Sequence, residues 1–254
     1  MERTYLAFDL ETAKVQSSNL KHWTTKRPLG ISCAATYAED ARGPVLWWGG
    51  RRRKHPTFQM TVAEARALVE YLGKRLSLGY TIVTWNGIGF DFDILAEESR
   101  MPEECRSIAL SHVDMMFQVL CQLGFGVSLN AAARGMRLSR KGRGLQGSLM
   151  PRLWTEGRFD DVFEHVAQDA RITLALAKTC DRSGYLRWIT RYGTGRMMQL
   201  PQGWQTVAVP RFEHPHLRLV GVDDDAVDHP LADQPFQGSQ GLGRPRQQPA
   251  QQRP

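Results

Sequence analysis

The chain has 254 residues, 42% of them hydrophobic and 23% charged, which excludes a wholly disordered or collagen-like chain and allows a core of one ordinary domain or two small ones. Lys and Arg number 33 against 26 Asp and Glu, a net charge of +7, and no apolar run approaches the roughly 18 residues of a membrane span. Strand-like sequence starting at Tyr5 leaves no room for a leader, so a cytoplasmic protein without a membrane partner is expected.

Residues 5–11 form the first strand-like run, followed by 31–37 and by 45–48, which Gly49-Gly50 closes. Their short spacing predicts an antiparallel meander. Thr61 and Glu64 have capping-box spacing, and Val62, Ala65, Val69, Leu72 and Leu76 recur at helical intervals, predicting a helix over 62–78. A strand over 80–85, a helix over 91–99, a short strand around Val113 and a helix over 115–123 follow. The order βββ then αβαβα predicts an α/β fold with a mixed sheet, antiparallel at one end, parallel at the other, and flanked by helices. A long helix is expected over 159–179, its core stripe formed by Phe159, Val162, Phe163, Val166, Ala170, Leu174 and Ala177. His165 and Asp169 project from one edge of that helix.

From Val222 the sequence turns to five Asp and then a Gln, Pro and Gly-rich run, read as a disordered tail over 222–254. A folded domain is expected over 1–200, with a C-terminal extension over 201–221. The tail carries five acids and three arginines, so residues 1–221 hold +9 (7 + 2), a balance that suits a polyanionic partner. Cys33, Cys105, Cys121 and Cys180 lack paired metal-ligand spacing and read as buried free thiols.

Asp9 and Glu11 lie two apart in an apolar strand, hence on one face of the sheet. Two carboxylates there call for a compensating cation, or else Glu11 has left the strand and is solvated. Asn86-Gly87-Ile88-Gly89-Phe90-Asp91 leads from a strand's carboxyl end into a helix, where ligands of α/β sheets sit. Asp91 is either a ligand there or a helix-start carboxylate answering the dipole; Asp93, two residues on, faces elsewhere. His165 and Asp169 are either inward-facing functional groups or an ion pair. Asp114, with His112 two residues before it, is a plausible extra carboxylate at a strand end.

Together these segments resemble the DEDD superfamily of 3′-5′ exonucleases. Phe8-Asp9-Leu10-Glu11-Thr12 is similar to its first motif, Asn86 to Asp91 with Leu95 to its second, and His165-Val-Ala-Gln-Asp169 to its third. The resemblance extends from about Tyr5 to Ala177 and points to the bacterial branch similar to family B DNA polymerase exonuclease domains and YprB-like proteins. It implies a ribonuclease H-like fold and phosphodiester hydrolysis with two Mg²⁺ or Mn²⁺ ions held by Asp9, Glu11, Asp91 and Asp169. Asp9 would bridge both ions, with Glu11 and Asp169 on the nucleophile side and Asp91 on the other. The family often has an Asp that does not bind metal in the place of Asp114, so the resemblance implies a structural role for Asp114 and His112. The family's third motif is Tyr-x3-Asp or His-x4-Asp, whereas here His165 stands in the tyrosine position; His165 is taken as the base that accepts the water's proton. The substrate implied is a single-stranded DNA or RNA 3′ end. A decayed nucleic-acid-binding protein and an endonuclease are the alternatives.

Arg134, Arg137, Arg140, Lys141 and Arg143 place five positive charges in ten residues without an acid, and Arg51, Arg52, Arg53 and Lys54 form a second cluster. Either cluster is a phosphate-contacting surface or a solvated loop. Arg187, Arg191 and Arg196 extend this basic character. Asn86 and the aromatic Phe90, with Trp85 and Phe92, are candidates for contact with a terminal base, though core packing accounts for at least two of these aromatics.

Overall fold

The structure, a computed structural model, describes residues 3–14, 27–51, 53, 55–138 and 147–208. Arg52, Lys54, Arg140, Lys141, Arg143 and the tail over 222–254 lie outside the described residues. Five strands, β1 (Thr4–Thr12), β2 (Ile31–Ala38), β3 (Val45–Trp48), β4 (Tyr80–Thr84) and β5 (Val113–Asp114), form one sheet in the order β3-β2-β1-β4-β5. The pairs β1–β2 and β2–β3 are antiparallel, and β1–β4 and β4–β5 are parallel. This is the mixed sheet that the element order predicts.

Alternation along β1 divides the core into two layers. Leu6, Phe8 and Leu10 face one side, with Ile82 of β4, and are covered by α1 (Val62–Ser77), α2 (Asp91–Ser99) and α3 (Pro102–Ser111). Tyr5 and Ala7 face the other side with Cys33, Ala35 and Val83, and pack against α4 (Met115–Leu123), α5 (Leu129–Gly135), α6 (Met150–Thr155) and α7 (Phe159–Ser183). The period of two thus puts Asp9 and Glu11 on the α7 side. The capping box of α1 forms as expected, the Thr61 side chain accepting from Glu64 N while Glu64 accepts from Thr61 N at 2.8 Å.

Five elements go beyond the sequence expectation: α3, α5, α6 and the two strands of a hairpin, β6 (Tyr185–Ile189) and β7 (Gly195–Gln199), which pair antiparallel as a second small sheet. In addition α7 runs one turn past 179, to Ser183. Residues 201–208 pack back on the body: Trp204 is fully buried, and Val207 N and Ala208 N donate to the carbonyls of His112 and Leu110. No helix among the described residues is long and apolar enough to cross a membrane.

Candidate active site at the carboxyl end of the first strand

The site begins where the two neighbours of β1 diverge. On one side β1 stays paired with β2 as far as Thr12, while on the other its pairing with β4 stops at Ala7–Val83. Beyond that point the backbone of β1 has an open edge inside the molecule, and a buried N–H must find an acceptor. Asp91 supplies it: its Oδ1 accepts from Leu10 N at 3.0 Å, between Asp9 and Glu11 in sequence. Asp91 is only 2% exposed, and burial pushes its carboxyl well above the usual carboxylate range, with Asp114 adding to the shift.

Asp91 is placed there by a tightly folded loop. Asn86 has φ 73, and its backbone N–H and that of Ile88 donate to the two carboxylate oxygens of Asp114, at 3.0 and 2.9 Å. Asp114 also caps α4 through Phe117 N at 3.0 Å. Gly87 cannot be replaced without a collision, since a Cβ there would lie 2.2 Å from Thr84 Oγ1. Beneath it runs a relay: Gly87 N donates to Thr84 Oγ1, whose hydroxyl meets His112 Nε2 at 3.0 Å, and His112 Nδ1 donates to Ala109 O at 2.6 Å. Asp114 and His112 are therefore structural, as expected. Asp93 turns outward, 2.8 Å from Arg27, as its position on the helix requires.

The opposite wall is α7. His165 Nε2 lies 3.5 Å from Glu11 Oε1 and 3.5 Å from Asp169 Oδ2, so one imidazole touches both carboxylates. The three side chains are 7 to 16% exposed, so the cluster is largely buried with a small part of each group at the surface. Asp9 is half-buried on the same face of β1 as Glu11. Burial and the charges of Glu11 and Asp9 together push the Cys33 thiol upward, which places that buried thiol in the field of both. A bulge helps to aim Glu11. Glu11 pairs with Cys33 and Thr12 with Ile31, so Ser32 is the extra residue, and its hydroxyl donates to Glu11 O at 3.0 Å.

Among the described residues, no group of three or more His, Cys, Asp and Glu stands as a ready cage for one ion. The donor set still suits a hard cation. Four carboxylates from β1, α2 and α7 offer oxygen ligands, and Mg²⁺ commonly takes only one or two protein carboxylates alongside water and phosphate.

The family model described as RNase_H superfamily matches residues 45–180. The chain belongs to the RNase H superfamily. This superfamily match contains Asp91, His165 and Asp169 but starts after β1, which carries Asp9 and Glu11. Two similar solved structures are a family B DNA polymerase from the hyperthermophilic archaeon Pyrobaculum calidifontis and an exonuclease I in its apo form. The polymerase is 16% identical with a TM-score of 0.48, covering 71% of this chain and 25% of its own. Exonuclease I is 15% identical with a TM-score of 0.33, covering 72% of this chain and 42% of its own. This chain thus spans less than half the length of either. No curated protein sequence matches it.

Around the carboxylates, the aromatics flanking Asp91 are mostly structural. Phe92 is buried against Phe8 and His112, and Phe90 packs partly buried on the same layer. Trp85 packs on the other layer and donates from Nε1 to Val127 O at 2.9 Å. The Asn86 side chain lies against Gly89, where a Cβ would come within 2.5 Å of its Oδ1. Trp48 had not been singled out by its sequence. It sits in register with Cys33, itself in register with Glu11, two strands away on the same face. Arg51 stacks over its ring at 4.6 Å. Its signal was its odd-even parity with Glu11, which needs the register to be read. Gly147 is a further neighbour: a Cβ there would lie 3.8 Å from His165 Nε2.

Proposed function

We propose that this chain is a metal-dependent nuclease that removes nucleotides from single-stranded DNA or RNA 3′ ends, as the resemblance to DEDD exonucleases implies. One observation carries the reading: acidic side chains from three separate elements converge at the carboxyl end of β1, with Asp91 bonded to Leu10 N and His165 touching both Glu11 and Asp169. Carboxylates clustered and partly buried cost stability unless a cation compensates them, and such costly clusters are characteristic of functional sites. Asp9, Glu11, Asp91 and Asp169 would hold two Mg²⁺ or Mn²⁺ ions, whose chemistry is to acidify a bound water and to neutralise charge on a leaving oxygen.

The chain's own residues do the remainder. Asp91 keeps its orientation through Leu10 N, and His165 fixes the spacing of Glu11 and Asp169. Within 3.5 Å of both carboxylates, its imidazole would be the base that accepts the attacking water's proton.

The test is a time course with 5′-labelled single-stranded DNA and RNA in Mg²⁺, Mn²⁺ or EDTA. A ladder shortening from the 3′ end only with metal is the expected result, and circular substrate should survive. Asp9→Asn and Asp169→Asn should each lower the rate more than about 100-fold, with Tm held or raised because like charges are separated. Full activity in either variant would remove the site assignment. Binding without cleavage in either metal would instead favour a decayed, nucleic-acid-binding protein.

A further inference from the structure

Charge is segregated across this molecule. Residues 91–111, which span α2 and α3, carry six acids and two arginines, whereas the described residues 127–138 and 184–208 carry five arginines and no acid. Those two acid-free stretches form one lobe, α5 packed on the β6–β7 hairpin. Arg134, Arg137, Arg187 and Arg191 are exposed on it. The joint between its halves is rigid: a Cβ on Gly135 would fall 2.3 Å from Arg187 O and Trp188 Cα, so helix and strand backbones touch directly.

Between α5 and β6 lies a cleft of about 180 Å³, with Asn130, Arg134 and Arg191 around Trp188. It is smaller than the roughly 300–1,000 Å³ of a small-molecule pocket, so it does not enclose a cofactor. Two guanidiniums and an amide at a shallow opening match a phosphodiester. At the hairpin tip Tyr192 is 65% exposed, with Arg191 at 4.7 Å over its ring and bonded to its hydroxyl at 2.6 Å. A cation beside an exposed aromatic is the pairing that single-stranded nucleic acid uses for backbone and base contact.

The lobe packs against the elements that carry the carboxylate site. Before α5, Val127 O accepts from Trp85, at the start of the loop that delivers Asp91. Both α5 and β6 also pack on α7, the helix that carries His165 and Asp169. From these observations we infer that α5 and the β6–β7 hairpin form a second contact surface that grips the phosphate backbone of a single strand whose end lies at the carboxylates. This rests on the nuclease reading, and it adds a holding site outside the chemistry.

The experiment compares two triple variants of the full chain with equal charge change: Arg134→Gln, Arg187→Gln and Arg191→Gln in the lobe, and Arg42→Gln, Arg100→Gln and Arg106→Gln elsewhere on the surface. Binding of a labelled single strand of about 20 nucleotides is measured in EDTA across a salt series. The lobe variant should bind about 10- to 100-fold more weakly at low salt, with the log–log salt slope shallower by about 2, from roughly 0.7 per lost phosphate contact. The control variant should match wild type. As a second measurement, photocrosslinking with a thiouridine-bearing strand should label the peptide over 184–199. Equal affinity and slope in the two triple variants, or crosslinks that avoid that peptide, would overturn the inference. Because EDTA removes hydrolysis from the readout, the outcomes separate: cleavage with an indifferent lobe defeats only this inference, and lobe-dependent binding without cleavage in Mg²⁺ or Mn²⁺ defeats only the nuclease reading.

Discussion

His112 shows how a side chain far from any chemistry sets the position of one near it. Its Nδ1 donates to Ala109 O, so the ring's other nitrogen is the acceptor for the Thr84 hydroxyl, which in turn receives Gly87 N–H. Only the neutral imidazole can be both donor and acceptor in this way. Burial holds its pKa below the ordinary histidine value, against a smaller opposing pull from Asp114. The unfolded chain then binds a proton that the folded chain refuses, so stability should be full above about pH 6.5 and fall as pH drops through that value. Thermal unfolding from pH 7.5 to 5 measures this, and His112→Asn should flatten the slope while costing about 1–3 kcal/mol of stability at neutral pH. A wild-type slope equal to that of the variant would show that another group dominates.

Among elements, β1 to β4, α1, α2, α4 and α7 carry apolar patterns that are legible in the sequence, as is the two-residue β5 from its place between helices, together with the mixed order of the sheet. The missed ones had diluted signals. In α3 only Cys105 and Ile108 are buried, although Pro102 at its start and Glu103 and Glu104 in its first turn are a proper helix opening. In α5 the helix is two turns long and rests on small residues, Ala132 and Ala133. The hairpin alternates Leu186 and Trp188 inward with Arg187 outward, but interleaved arginines made it read as surface. Gly135 carries the consequence. Gly135→Ala would force α5 and β6 apart, at about 1–3 kcal/mol. Hydrogen exchange should quicken across β6 and β7 while the five-stranded sheet keeps its protection. Unchanged exchange in the hairpin would mean that the contact is less tight than described.

At the scale of the whole molecule, the four cysteines report on the core. All are free and buried, as their isolated spacing predicted, with Cys33 and Cys180 in the layer under α7, Cys105 in the other and Cys121 on α4. Burial raises Cys105 and Cys121 to about 11 and Cys180 to about 12, with Asp114 and Asp181 contributing to the last two. At pH 8 the thiolate fraction at pKa 11 is about 10⁻³. Alkylation of the native protein should therefore proceed only through opening of the core, and the four sites should gain reactivity together across a denaturant titration. Rapid modification of one site without denaturant would reveal a locally open element.

Much of the candidate site was also legible, because Asp9, Glu11, Asp91, His165 and Asp169 stand in three spaced segments. What the sequence did not display were the relations that depend on tertiary register. They include the Ser32 bulge behind Glu11, the row from Glu11 through Cys33 to Trp48, and the chain of bonds from Ala109 to Gly87. Each joins residues far apart in the chain, and none leaves a local pattern.

The 25 residues of α7 link the carboxylate site to the hairpin in a single piece. Asp169 is its eleventh residue, and its end at Ser183, just before Tyr185, lies about 21 Å further on at 1.5 Å per residue. The helix is thus a ruler as well as a wall. For a strand held at the hairpin in the manner proposed, its length would set how far that strand must reach to bring its end to the carboxylates, and its pitch would set their relative bearing. A single residue inserted between 172 and 180 would turn one end about 100° against the other, uncoupling the two without altering any side chain in either.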